Sequence, residues 1–494
     1  MLFDFKKIIY FGVLLGLLAI SFLSSINPKV KNVIPEPVDI SLVSIAIAIT
    51  ELETDENGYS GYRHVLESLQ EQEGFKEYAK SHKKNIPYDI DFKKGVLAAK
   101  TIDANYKYYL DREDLGIVDY YKLSFLLFGY DTDSFIYLYY LLLFISLALF
   151  IARFFNNFEK LNLLAIFMIS HWVIISVLPD MGKELMTVYN RRSLPILSMI
   201  PTIYIVISIF ENKRLNTFGL AMLITQIAIL MFIYHSRSSV SYQLLFIYSS
   251  FFLFCLFSIK KKFYYYLIKK SALISIVLIS LSILGLKGYM YSAKDPQYSN
   301  YTSGHLFWHA AYIGLSAHPE SLNKYGIYQD DSSSVNFVSS KTKKIYGTED
   351  WESIGGHTLY EDILKKEYLS ILINDPNYFL KNYIIKPYIF LKTFFASLYW
   401  SNSNIISITS ILCSFAGGFF VYRSSLIALT KISLVLIGAF IFSMLPSLFV
   451  STAVPVYILD PSVLFLTLIY WFLSLIIGFT IYTINIIYKK NIRV

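Results

Sequence analysis

Three of the eight histidines in this 494-residue chain, His305, His309 and His318, fall within one short stretch, SGHLFWHAAYIGLSAHPES, Ser303 to Ser321. His305 and His309 stand four residues apart, so on a helix they share one face. That is metal-ligand spacing, and His318, Asp330, Asp331 or His357 could complete a site. The stretch reads HLFWH, without the glutamate of the zinc-protease H-E-x-x-H signature. The same residues would suit a sugar: Trp308 and Tyr312, with Trp351 further on, offer ring faces for stacking. Histidine adds hydrogen bonds or proton transfer near neutral pH. His357 and Glu361 form a second pair at helical spacing, and GHLFWH (304–309) is echoed by GHTLYE (356–361).

A second set is acidic. In DREDLGIVDYYKLSFLLFGY, Asp111, Glu113, Asp114 and Asp119 precede an apolar run beside Tyr120 and Tyr121. A carboxylate close to lipid headgroups is partly desolvated, which raises its basicity and suits a general base or a metal ligand. Acids at the start of a helix are also favoured by the helix dipole alone. A third set is basic. Arg191 and Arg192 lie in PDMGKELMTVYNRRS, and His235 with Arg237 in the tight YHSRSSVS. Guanidinium pairs bidentately with phosphate or carboxylate, so an anionic ligand is one use for these arginines; snorkelling to lipid phosphates is the other. A divalent metal remains an open option, and its ligands are not fixed by spacing.

The elements that must position these residues are membrane helices. Apolar residues make up 55 % of the chain and charged residues 16 %, against about 25 % charged in soluble domains. Runs near the ~20 residues that span a bilayer fall at about 8–26, 134–153, 161–179, 193–210, 217–235, 241–259, 271–290, 403–422, 430–450 and 461–484. The expected fold is therefore all-α, a polytopic helix bundle of about ten transmembrane helices. His171 falls inside a span and reads as a packing histidine. Five segments result: an anchor (1–26), an outer-face loop with amphipathic helices (27–133), a six-helix block (134–290), a second outer-face loop (291–402) and a three-helix block (403–494). Asp375 to Trp400 reads as an interfacial helix.

Short connections carrying Lys6, Lys7, Arg153, Lys160, Lys213, Arg214, Lys260 to Lys262, Arg423, Lys431, Lys489 and Lys490 place that side, and both termini, in the cytoplasm. The three sets above then face outward. The net charge of +8 is spent on this asymmetry, which argues against a nucleic-acid partner. Cys255 and Cys413 lie in apolar runs and support neither a disulfide framework nor a thiolate zinc site. No phosphate-binding G-x-x-x-x-G-K-[ST] loop is present, and paired Gly/Pro-broken spans of the transporter kind are not evident.

Asp111 to Tyr130, with an acid, a nearby tyrosine and LSFLLFG before the second span, resembles the outer loop of GT-C class membrane glycosyltransferases. The match covers about twenty residues plus topology. In that family the acid usually follows the first span closely, and a soluble C-terminal domain is common; neither holds here. The second long outer loop, before the last three spans, is more similar to O-antigen polymerases and ligases, which use an outer-loop arginine or histidine on a lipid-linked glycan. The resemblance implies an enzyme of the bacterial cytoplasmic membrane. Its substrates would be a polyprenyl-phosphate-linked sugar donor and a glycan, lipid or protein acceptor. Asp111, Glu113, Asp114, Asp119, His305, His309 or His357 would provide acid–base chemistry. Arg237, with His235, Arg191 or Arg192, would hold the donor phosphate. A flippase or transporter of lipid-linked glycans, or an O-antigen-type polysaccharide polymerase, is the alternative.

Overall fold

The computed structural model describes residues 5–25, 48, 52, 116–129, 133–177, 193–211, 216–258, 271–292, 307–328, 331–400, 426–449 and 459–491. Among these residues every regular element is helical. Eight helices are long and apolar enough to cross a membrane: Ser134–Phe154, Phe158–Ile175, Leu194–Glu211, Thr217–Ser236, Ser238–Leu256, Ala272–Tyr289, Ile427–Leu445 and Pro461–Tyr488. They coincide with eight of the ten expected spans. The first expected span carries a helix whose apolar part, Gly12–Ser25, is shorter, and the span expected at 403–422 lies outside the described residues.

In chain order the helices are α1 (Phe5–Ser25), α2 (Gly116–Phe128), α3 (Asp133–Phe154) and α4 (Phe158–Trp172), which runs into a π-helical turn at Val173–Val177. There follow α5 (Leu194–Leu197), α6 (Met199–Glu211), α7 (Thr217–Ser236), α8 (Ser241–Ser258) and α9 (Ser271–Ser292). A second group holds α10 (Phe307–Ile313), α11 (Glu320–Tyr325), α12 (Asp331–Tyr346), α13 (Trp351–Asn374) and α14 (Pro376–Trp400). Two long helices close the chain, α15 (Leu426–Phe449) and α16 (Leu459–Asn491).

Helix α6 is the axis of the bundle. Its residues from Met199 to Ile209 are all buried, as expected of a helix apolar on every side. It packs against α3, α7, α8, α9 and α15. Where helices meet in an apolar medium, polar side chains tie them by hydrogen bonds. Ser146 of α3 donates to the Gln226 carbonyl of α7 (3.0 Å), and Gln226 returns a bond to the Ser146 carbonyl (2.8 Å). His171 of α4 meets the Ser21 hydroxyl through Nδ1 (3.1 Å) and the Tyr139 hydroxyl through Nε2 (2.9 Å). Both ring nitrogens are thereby occupied, in keeping with a packing role.

Helix α2 lies against α3 and the end of α7. Ile117, Tyr121, Ser124 and Phe125 form its inward face, at the i, i+3, i+4 spacing of an amphipathic helix. Gly129 ends it with a positive φ of 85°, donating to the Phe125 carbonyl (2.8 Å) in the left-handed C-terminal cap that glycine allows. The 307–400 unit has its own core, including Tyr312, Leu315, Val338, Trp351, Tyr360, Leu364 and Tyr378. It joins the bundle where α14 meets α15, with Leu391 packed beside Met444 and Phe440.

Candidate functional site

The first turns of α2 and the last turn of α7 bring together two residues 116 positions apart in sequence: His235 Nε2 lies 2.7 Å from Asp119 Oδ2. The approach is made possible by a missing side chain. A β-carbon on Gly116 would stand 2.4 Å from the carbonyl carbon and ring Cδ2 of His235, so α2 touches α7 backbone to backbone. Tyr120 fixes the adjacent turn, donating its hydroxyl to the Phe135 carbonyl (2.9 Å) and stacking on Phe232 of α7.

The pair is asymmetric. His235 is 6 % exposed at its side chain and Asp119 25 %, so the carboxylate is the more exposed member and the imidazole the buried one. With Asp119 ionised, Nε2–H donates to it, which leaves Nδ1 of the neutral ring as an acceptor. That nitrogen is buried and makes no hydrogen bond. The ring of Tyr289 meets the imidazole edge-on, with centroids 6.2 Å apart. A partly exposed carboxylate held at one oxygen by a buried imidazole has the chemistry of a proton acceptor.

Arg237 follows two residues later. It caps α7 with an extended backbone (φ −151°, ψ 104°) before the turn Ser238–Val240 reverses the chain. Arg237 is 7 % exposed, so its side chain is buried at the end of α7, two residues along the chain from His235. Buried arginine is costly unless it meets oxygen ligands.

The 307–400 unit places its histidines differently. His309 Nδ1 lies 2.7 Å from the Tyr360 hydroxyl and 2.9 Å from Ser334 Oγ, and Tyr360 donates to Ser334 Oγ (2.8 Å). The backbone N–H groups of Trp308 and His309 each donate to the Glu361 carboxylate at 2.9 Å. The two echoing motifs therefore meet, the second supplying the tyrosine and glutamate that hold the first. Tyr312 (2 % exposed) and Trp351 (7 %) lie in the core, their rings against Phe337 and Tyr360. Trp308 packs edge-on against Tyr368 under the Lys365 ammonium. His318 Nδ1 accepts from the Glu320 N–H (3.2 Å).

Of the other residues singled out from sequence, His357 stands on α13 just past a kink at Gly356, where φ is 54°. Asp111, Glu113, Asp114, Arg191, Arg192 and His305 lie outside the described residues. Among the described residues no three His, Cys, Asp or Glu side chains come together as a metal site would require. Sequence reasoning passed over Gly116, whose signal is slight: a lone glycine between LDREDL and IVDYY.

Comparison with known protein families, curated proteins and solved structures finds no match to this chain.

Proposed function

We propose that this protein is a membrane glycosyltransferase that moves a sugar or glycan from a polyprenyl-phosphate carrier to an acceptor at the outer face of the bacterial cytoplasmic membrane. The observation that carries the reading is the Asp119–His235 pair, its carboxylate the more exposed member, with a buried Arg237 two residues further along the chain. Glycosyl transfer from a lipid phosphate needs two groups at one place: a base for the acceptor hydroxyl and a cation for the departing phosphate. Asp119, the more exposed member of the pair, supplies the first: its carboxylate accepts the hydroxyl proton as the new glycosidic bond forms, held in place by the buried His235. Arg237 supplies the second, holding the leaving phosphate. The arrangement of basic connections supports an outward orientation for this end of the bundle, with both termini inside.

The experiment compares surface glycans and lipid-linked intermediates by mass spectrometry in cells with and without the protein. Loss of the protein should leave lipid-linked precursor accumulating at the outer face. Precursor trapped at the inner face would assign a flippase instead, and unchanged glycans and lipids would refute both.

A further inference from the structure

At the end of the bundle opposite Asp119 and His235, a cavity of about 730 Å³ opens between α6, α8 and α15. The two ends are distinguished by chain direction: α6 finishes at Glu211 where the cavity lies, and α7 then crosses back to finish at Ser236. Its walls are apolar, among them Val206, Phe210, Phe246, Val435 and Phe442. Its volume is within the ~300–1,000 Å³ of ligand sites. Gly438 is part of the lining: a β-carbon there would fall 2.5 Å from the Phe246 ring, so glycine lets that ring approach α15 closely. The lining runs along α15 from Ile427 to Phe442, about 22 Å at ~1.5 Å per residue. One leaflet of hydrocarbon is about 15 Å deep, which leaves a turn or two of α15 at headgroup level.

The rim at that level is charged. Asn157, Glu159, Lys160, Glu211 and Lys431 line it. Lys160 pairs with Glu211 and lies over the Phe154 ring, so these two neutralise each other. Lys431 is exposed and makes no ion pair or hydrogen bond among the described residues. The cavity mouth is flanked by Leu253, Ile427 and Leu434, which are 47 %, 71 % and 64 % exposed and in a bilayer would face hydrocarbon.

The geometry points to a bound phospholipid, its acyl chain in the cavity beside Phe246 and Gly438 and its phosphate on Lys431. An apolar slot open to hydrocarbon admits a lipid chain without a desolvation cost, and the rim ammonium selects a chain that ends in phosphate. This site is separate from the Asp119–His235 pair and stands whether or not that pair performs glycosyl transfer.

The test uses the full-length protein in vesicles containing phosphatidylethanolamine with a photoactivatable diazirine on its acyl chain, with crosslinks mapped by mass spectrometry. Labelling should concentrate on the α8 and α15 peptides that line the cavity. Val435→Trp, which fills the slot, should abolish that labelling, and Ser250→Phe should do so from the opposite wall. The exposed faces of α9 and α16 (Leu281, Ile476) serve as internal controls, because a misfolded variant alters their labelling as well. Lys431→Glu should reduce labelling by the phospholipid but not by a diazirine fatty alcohol, which has no phosphate. Labelling spread evenly over all exposed apolar faces, or unaffected by both filling variants, would overturn the site. Equal labelling of Lys431→Glu and the natural protein by the phospholipid would overturn the assignment of the phosphate.

Discussion

The His235 and His309 sites contain the same kinds of groups, a histidine with oxygen partners from distant helices, and differ in what is left over. At His309 the Nδ1 atom is engaged by two hydroxyls, Tyr360 and Ser334, which also bond each other. At His235 one nitrogen is held by Asp119 and the other is buried without a partner. A buried polar atom left unsatisfied costs roughly 1–3 kcal/mol. The first arrangement fastens helices together; the second sets a partly exposed carboxylate against a buried imidazole. Clusters of histidine in sequence do not distinguish these cases, since that depends on which partners the fold brings up.

The comparison is broken most forcefully at Asp119. Changing it to Asn removes the carboxylate that accepts the proton, so turnover should fall by about 10²–10⁴-fold with the bundle intact, as read from lipid-linked precursor levels and detergent thermal stability. His309→Ala should leave turnover per folded molecule nearly unchanged. Next in size is Gly116→Val. Its side chain would enter the space filled by the His235 backbone, pushing α2 away and separating Asp119 from His235. Activity should drop by one to two orders of magnitude, roughly the loss of a misplaced catalytic group, and Gly116→Ala should fall between it and the natural protein.

The other member of the pair is sharpened by stability. His309→Ala should destabilise the 307–400 unit by about 1–3 kcal/mol, because the hydroxyls of Tyr360 and Ser334 lose their shared partner. Limited proteolysis of the unit would report it, and His235→Ala should leave that pattern unaltered. The smallest effect is a pH dependence of the same unit. Lys386 is fully buried on α14 against the Tyr383 ring, and burial lowers its ammonium from the usual 10.5 to about 7. Between those two values the unfolded chain holds the proton and the folded one does not, so stability rises with pH across the window. The penalty is full below about 7 and gone above about 10.5. Lys386→Met should flatten this slope and raise the unfolding temperature most at the lower end.

Eight membrane helices were legible from apolar runs alone, because ~20 apolar residues have few other solutions. Asp119, His235 and Arg237 were each visible as residues out of place near span ends. That Asp119 meets His235 was not, since it depends on α2 lying against α7 through a glycine that carries no chemical signal. The 307–400 unit was the least legible part. Tyr312 and Trp351 read as open ring faces, yet each is a core side chain, because amphipathic spacing with aromatics serves a sugar platform and a small helical core equally well. The GHLFWH and GHTLYE echo was real in sequence, and its role is a contact between the two copies.

Proton transfer by the Asp119–His235 pair is tested most directly by introducing Asp119→Asn and His235→Gln, singly and together, into cells that lack the natural gene. Acting as one unit, all three variants should accumulate the same lipid-linked precursor as the deletion, with the protein present at natural levels and the double variant no worse than either single one. Natural glycans and no precursor in the His235→Gln cells would contradict the account.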